Sequence, residues 1–225
     1  LPILHRIGNF LGSIGYCFLP KKLRDTISGN VDSAGIISDK LARHTLIKAV
    51  CQESIKGGFE LPVAWMRSSE DIVDLFKAVH GWEHVQTALE KNEGLLLITP
   101  HIGSYDLAGR YISHHLPFPL TAMYRPPKQK WLDEVMNAGR VRDKGRTAPT
   151  NLQGVKQVMK ALRAAEATIV LPDQVPHGAD GIWVNFFGRP AYTMTLAGRL
   201  ARMGDVSTLC FFGGGVPGGC GVGVC

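Results

Sequence analysis

The chain has 225 residues, 45% of them hydrophobic and 20% charged. That usage excludes wholesale disorder and fits one large domain, or one domain with a helical extension. Twenty-five lysines and arginines against 19 acids leave a formal charge of +6, with a pI near 9.1 and a mean hydropathy of +0.03. The surplus favours an anionic partner, whether phospholipid, phosphorylated ligand, acidic carrier protein or nucleic acid, without choosing among them. Five cysteines with no Cys-x-x-Cys pair argue against a disulfide scaffold and for a reducing compartment.

In chain order, the sequence opens on Leu1 rather than Met, so its true beginning is expected to lie upstream. Residues 1–19 are mostly apolar, but His5, Arg6 and Asn9 interrupt them, and the uncharged run from Ile7 to Pro20 is too short for a span of about 20 residues. No basic segment leads into a small-residue cleavage site, which disfavours a signal peptide. An interfacial helix, the tail of a longer span, and an ordinary core helix remain open. Lys21, Lys22 and Arg24 follow at once, where they suit a lipid headgroup layer on the cytoplasmic side.

Helices are predicted next. Ser38 caps the first, which carries Leu41, Leu46, Ile47 and Val50 to about Lys56 and closes at Gly57-Gly58. Ser69 caps a second with Ile72, Leu75, Phe76 and Val79 on one face; Trp82, Val85 and Leu89 lie on a third, stopped by Gly94. Then the character changes. LLLIT (95–99), PLTAMY (119–124) and ATIVLP (167–172) read as buried strands, and IWVNFFG (182–188) as strand or hairpin. Helices are expected over 104–114, through Trp131 and Met136, over 152–165 and over 193–203, before a last strand, VSTLCFF (206–212). The alternation implies an α/β fold, a mixed, largely parallel central sheet flanked by helices; ahead of it an N-terminal helical, membrane-associated segment is expected from residues 1–24. The boundary is expected near residue 90, giving residues 1–90 as the N-terminal region and 91–225 as the core. From Gly213 the sequence GGGVPGGCGVGVC has no periodicity, and its glycines disfavour regular structure. It reads as an irregular, truncated terminus rather than a phosphate loop, which needs a following helix.

Ligands of open α/β sheets gather beyond the carboxyl ends of strands. The first such end delivers Pro100-His101 and, after Ile-Gly-Ser-Tyr, Asp106: a His-x4-Asp pattern. A carboxylate in a helix's first turns is favoured by the dipole and can hold an imidazole in one tautomer. An imidazole so held suits a general base that takes a proton from a hydroxyl. The bland alternative is a strand-end histidine beside a helix-capping acid. The second end delivers Arg125, pinned by Pro126-Pro127, whose fork matches phosphate or carboxylate; Arg140 and Arg142 follow among other basic residues of an otherwise solvated face. The third delivers Asp173-Gln174, where Asp173 could bind a ligand hydroxyl, steer Arg125 or simply make a turn. Three successive strands thus bring His, Arg and Asp to one sheet edge.

HIGSYD (101–106), YRPPK (124–128), GRVRDKG (139–145), LPDQ (171–174) and VNFFGRPAYT (184–193) occur in that order. Together they resemble the lipid A biosynthesis acyltransferases, the lauroyl/myristoyl transferase family of Gram-negative bacteria, over nearly the whole chain. The chain departs where the family often has Glu at position 106, at Arg189, and in its tail. The resemblance implies transfer of a fatty acyl chain from acyl carrier protein to a hydroxyl of a lipid A precursor, without a cofactor or metal, at the cytoplasmic face of the bacterial inner membrane. It implies His101 as general base and Asp106 as its orienting partner. Arg125 would hold a phosphate or offset an oxyanion, Arg140 and Arg142 would meet phosphate or carrier protein, and Asp173 would bind substrate or act from behind the site. Inner-membrane phospholipid is the further partner implied. Leu107, Met123, Phe186 and Phe187 are candidates for an acyl channel, or plain core.

Competing readings are weighed on the same residues. A glycerophosphate or lysophosphatidate acyltransferase shares His-x4-Asp, but this chain has Pro172-Asp173-Gln174 where a Pro-Glu-Gly-Thr-Arg type block belongs. A metallohydrolase could draw on His101, Asp106, Asp173 and His177, without a His-x-His or His-Glu-x-x-His framework. A non-catalytic membrane-binding fragment is the alternative of another class. Nucleic-acid binding lacks interleaved aromatics on a recognisable module.

Overall fold

The computed structural model describes residues 1–37, 39–176, 178 and 180–225. Ser38 and His177, the expected helix cap and a conceivable metal ligand, lie outside the described residues. The rest falls into two units, residues 1–61 with 184–191, and residues 62–183 with 192–225. Residues 62–90, expected with the N-terminal helices, therefore belong to the larger unit.

In the smaller unit, α1 (Pro2–Phe18), α2 (Lys21–Ala34) and most of α3 (Lys40–Met66) pack as follows. Gly8 and Gly12 let α1 lie close against Lys56 and Gln52 of α3. His5 pairs with the buried Glu60 at 2.7 Å, Tyr16 meets His44 edge-on, and Arg43 grips Asp32 of α2 with both nitrogens at 2.6 and 2.8 Å. These contacts run antiparallel along α1 and α3. They carry α3 through Gly57-Gly58, where a stop was expected, and the helix continues past Pro62. Each glycine costs a helix about 1 kcal/mol, a penalty that packing of one helix against another overrides. Among the described residues no helix is long and apolar enough to cross a membrane.

The larger unit is α/β. Its elements are α4 (Ser69–Val73), β1 (Phe76–His80), α5 (Trp82–Glu90), β2 (Gly94–Ile98), α6 (Tyr105–His115), β3 (Leu120–Tyr124), α7 (Lys130–Arg140), β4 (Gly145–Pro149), α8 (Leu152–Arg163), β5 (Ala167–Val170), α9 (Leu196–Ala201), β8 (Val206–Val216) and β9 (Gly219–Val224). The hairpin β6 (Gly181–Phe186) and β7 (Arg189–Met194) forms a separate two-stranded ribbon. The main sheet has the order β1-β9-β8-β2-β5-β3-β4. Its neighbours run parallel except β8 and β9. This is the mixed, mostly parallel sheet flanked by helices that the alternation of elements implied.

Strand β2 shows why the core sits where it does. Leu95 and Leu97 point into one cluster with Val85, Ile112, Leu116 and Phe211, so α5 and α6 cover that face. Leu96 points into the other with Val158, Leu162, Val170 and Leu200, under α8 and α9. A strand buried on both faces reads as a continuous apolar run rather than an alternating one. At the end of α3, the buried Arg110 donates to the Ala64 carbonyl and to Ser69 Oγ, and Ser69 donates to Asp143. Burial pulls the Arg110 guanidinium below its usual range, against the pull of Asp143.

Four expectations need correcting. The helix starting near Ser69 ends at Val73, its cap being Ser68, which accepts from the Asp71 amide; Phe76–His80 is an edge strand. Gly145–Pro149 is a strand where none was expected. Strand β7 takes residues 189–194, leaving α9 only Leu196–Ala201. The glycine-rich tail is not irregular: β8 runs through it to Val216, and β9 inserts between β1 and β8. Cys220, Val222 and Val224 are buried in a strand that is buried along nearly its whole length, and the pairing partners on both sides satisfy a backbone that composition alone leaves undecided.

Candidate active site

Strands β2 and β5 pair parallel in register, Ile98 opposite Val170. Three residues beyond each partner stand His101 and Asp173, so neighbouring strands about 4.8 Å apart deliver an imidazole and a carboxylate side by side. The Asp173 carboxylate takes two bonds from His101, one oxygen from the backbone N–H and the other from ring Nδ1, each at 2.7 Å. Burial pushes the Asp173 carboxyl up, but these hydrogen bonds and the charge of His101 outweigh it and hold the group below the usual carboxylate range. An ionised carboxylate can only accept, so Nδ1 carries a proton, and in the neutral form of the ring the lone pair lies on Nε2. The Gln174 amide lies 3.4 Å from that lone pair, and the Tyr105 ring meets the imidazole edge-on at 5.1 Å.

The loop that presents His101 is fixed from β8. Gly103 has φ +61°, and a Cβ there would come 2.1 Å from the Gly213 carbonyl oxygen. Ser104 donates its backbone N–H to that same oxygen at 3.1 Å. A Cβ on Gly213 would in turn meet Ser104 O at 2.7 Å. Two glycines, one on each side, are what allow the loop to touch the strand.

In this structure the carboxylate bonded to the imidazole is that of Asp173, and Asp106 pairs elsewhere. It lies in the first turn of α6, with one oxygen 3.6 Å from Arg140 Nη2 and Oδ2 buried without a hydrogen bond. Arg140, from the last turn of α7, also sits 5.0 Å over the Tyr124 ring. Tyr124 donates to Asp133 at 2.7 Å; burial, then that bond, push its hydroxyl up to about 12. Burial likewise pushes the Tyr105 hydroxyl up, with the Asp106 charge adding to it.

The expected residues therefore separate into groups. His101 and Asp173 meet directly, and Asp106 meets Arg140. Arg125 stands exposed just past β3. Arg142 turns to the Arg67 carbonyl at 3.0 Å, a structural use. Of the acyl-channel candidates, Leu107 is fully buried and Met123 packs on the second core cluster, whereas Phe186 and Phe187 are exposed. Sequence reasoning gave no role to Gln174, Tyr105 or Gly213. The signal for the first two was adjacency to Asp173 and Asp106; for Gly213 there was none without the strand pairing.

The arrangement can accept a proton from a hydroxyl at Nε2 and hold the resulting imidazolium against Asp173. The family described as bacterial lipid A biosynthesis acyltransferase matches residues 3–212. A lipid A biosynthesis acyltransferase of Haemophilus influenzae is 26% identical over 132 residues, 59% of this chain and 41% of that protein. A lipid A biosynthesis palmitoleoyltransferase of Escherichia coli is 27% identical over 175 residues, 77% of this chain and 55% of that protein. A lipid A biosynthesis acyltransferase of Shigella flexneri matches to the same extent. The chain thus spans about half the length of these relatives.

Proposed function

Because the chain belongs to the bacterial lipid A biosynthesis acyltransferase family, we propose that it carries that family's acyl-transfer centre, with His101 as the base. The reaction moves a fatty acyl chain from an acyl carrier protein thioester to a hydroxyl of a lipid A precursor. The observation that carries this reading is the His101–Asp173 pair, 2.7 Å apart, beyond the carboxyl ends of the neighbouring strands β2 and β5.

The acceptor hydroxyl donates to Nε2 in the place now faced by Gln174. As its oxygen attacks the thioester carbonyl, Nε2 takes the proton and Asp173 balances the imidazolium. The tetrahedral oxyanion collapses; the C–O ester bond stays, the C–S bond breaks, and the imidazolium returns the proton to the leaving thiolate. No acyl-enzyme is needed. General-base assistance of this kind is worth about 10²- to 10⁴-fold. Arg125 is assigned to a phosphate of the acceptor, and Arg140, braced by Asp106 and Tyr124, to the developing negative charge or a second anionic group.

The buried, unpartnered Oδ2 of Asp106 favours one second reading. A ring that turns toward Asp106 in the substrate complex would fill that acceptor and make Asp106 the orienting carboxylate. Both readings put the chain at the cytoplasmic face of the bacterial inner membrane, where a water-soluble acidic carrier and a lipid acceptor meet. A +6 chain suits both partners. The test is incubation of the full-length protein with acyl carrier thioesters and a lipid A precursor, with the product read by mass. A product heavier by one acyl chain, absent with His101→Ala, is the expected result; undiminished product from His101→Ala would reject the base.

A further inference from the structure

The mechanism proposed above assigns no step to the two phenylalanines in the block 184–193, and their exposure argues against a closed acyl channel there. They form the tip of the β6–β7 hairpin: β6 ends at Phe186, β7 begins at Arg189, and the two-residue loop Phe187–Gly188 has φ of +50° and +72°. Positive φ at both central residues is the type I′ arrangement, for which Asn-Gly is the favoured pair. A bulky aromatic at the first of these positions is a backbone outlier. Burial does not compensate for it, since Phe186 and Phe187 are 64% and 59% exposed and meet each other edge-on at 4.7 Å.

The tip belongs to the N-terminal unit, where Arg189 donates to Ser33 of α2 at 2.9 Å. That unit exposes a second apolar feature. Ile3, Ile7, Phe10, Leu11, Ile14 and Phe18 of α1 are all exposed, and their spacing puts them on one helix face; Gly8 and Gly12 pack a different face against α3. Lys21, Lys22 and Arg24, also exposed, follow within the next turns. Nine lysines and arginines against five acids give this unit +4 of the chain's +6. Exposed aromatics, an apolar helix stripe and a basic excess are together the chemistry of an anionic lipid interface.

We propose that the Phe186–Phe187 tip is a wedge that inserts into an anionic phospholipid bilayer and, with the α1 stripe, holds the N-terminal unit on it. This deepens the membrane placement above and stands apart from the acyl-transfer chemistry. The decisive variant is Phe187→Asn, which creates the preferred Asn-Gly turn while removing the inserting ring. Sedimentation of the full chain with vesicles of mixed phosphatidylglycerol and phosphatidylcholine is expected to show partition weakened about tenfold, with an unchanged or higher Tm. Phe10→Ser is expected to weaken partition too, and raised salt or pure phosphatidylcholine vesicles to weaken it for every form.

Wild-type partition by Phe187→Asn overturns the proposal, as does a fall in Tm accompanying lost partition, since both would make the ring structural or irrelevant. Loss of self-association in place of lost vesicle binding would assign the tip to a second copy of the chain, and equally overturn it. His101→Ala keeps vesicle binding, and Phe187→Asn keeps turnover of detergent-dispersed precursor, so failure of either reading is seen separately.

Discussion

Asp173→Asn isolates what the carboxylate does for His101. The asparagine oxygen can still accept from the His101 backbone N–H, now 2.7 Å from Asp173, so the loop keeps one of its two ties. The amide nitrogen would face ring Nδ1, and it can only donate. The ring then favours the tautomer with its proton on Nε2, which points a donor rather than a lone pair at the acceptor hydroxyl. Restoring the useful tautomer sets two donors against each other and forfeits a charge-assisted bond. Such a bond is worth about 1.5–3 kcal/mol. Both side chains are about one-third exposed, which puts this bond at the low end and the total near 3 kcal/mol.

At 1.36 kcal/mol per factor of ten, kcat should fall by about 10²-fold, with KM for the acceptor little changed. The assay is release of carrier-protein thiol under saturating thioester, alongside a thermal melt. Because the carboxylate sits at a partly exposed loop, the melt should hold within about 1 kcal/mol. A depressed carboxyl contributes stability that is present above the unfolded value and lost as pH falls through the folded one, so wild type and variant should converge in acid. A kcat within threefold of wild type would refute the orienting role. If Asp106→Asn instead causes the 10²-fold loss, the ring works against Asp106, and the pairing in the free protein is not the reacting one.

Arg125→Ala should raise KM for the phosphorylated acceptor about tenfold or more while leaving the thioester donor's KM alone; equal change in both, or a pure kcat effect, would move Arg125 to the oxyanion. Tyr124→Phe should flatten an alkaline limb in stability. Its hydroxyl is pushed up to about 12 by burial and the bond to Asp133, so the unfolded chain ionises first and stability falls between about pH 10 and 12, by no more than about 2 kcal/mol. Chemical denaturation across that range checks it. Gly213→Val should cut turnover at least about 10²-fold through displacement of the 101–104 loop, with the bulk of the sheet intact by circular dichroism.

Much of the fold was legible because it rests on short-range signals. LLLIT and ATIVLP are buried on both faces of the sheet, and such runs announce themselves without context. Phe76–His80 did not, since two apolar residues next to Ile72 and Leu75 fit a helical face equally well, and only β9 makes them a strand. The tail fails in reverse: its glycines suggest a loss of order, whereas Cys220, Val222 and Val224 are buried in a paired strand. At the site, the sequence favoured Asp106 because it is five residues from His101, whereas Asp173 is 72 residues away. Residue spacing weighs what is near in the chain; the in-register pairing of β2 with β5 decides what is near in space.

The same logic explains why the histidine loop and the glycine-rich segment belong to one device. The loop after β2 must turn within a few residues to start α6, and at Gly103 and Ser104 it leans on β8 through the Gly213 carbonyl. A side chain at either glycine would meet backbone, at 2.1 and 2.7 Å, which no rotamer can relieve. β8 therefore gives up a side chain at 213 so that His101 can stand where β5 delivers Asp173. Strand β9, pairing Val222 with Gly213 on its far edge, keeps β8 from shifting under that load. On this argument the position of the base depends on residues more than a hundred places downstream, and loosening β9 should weaken turnover before it unfolds the core.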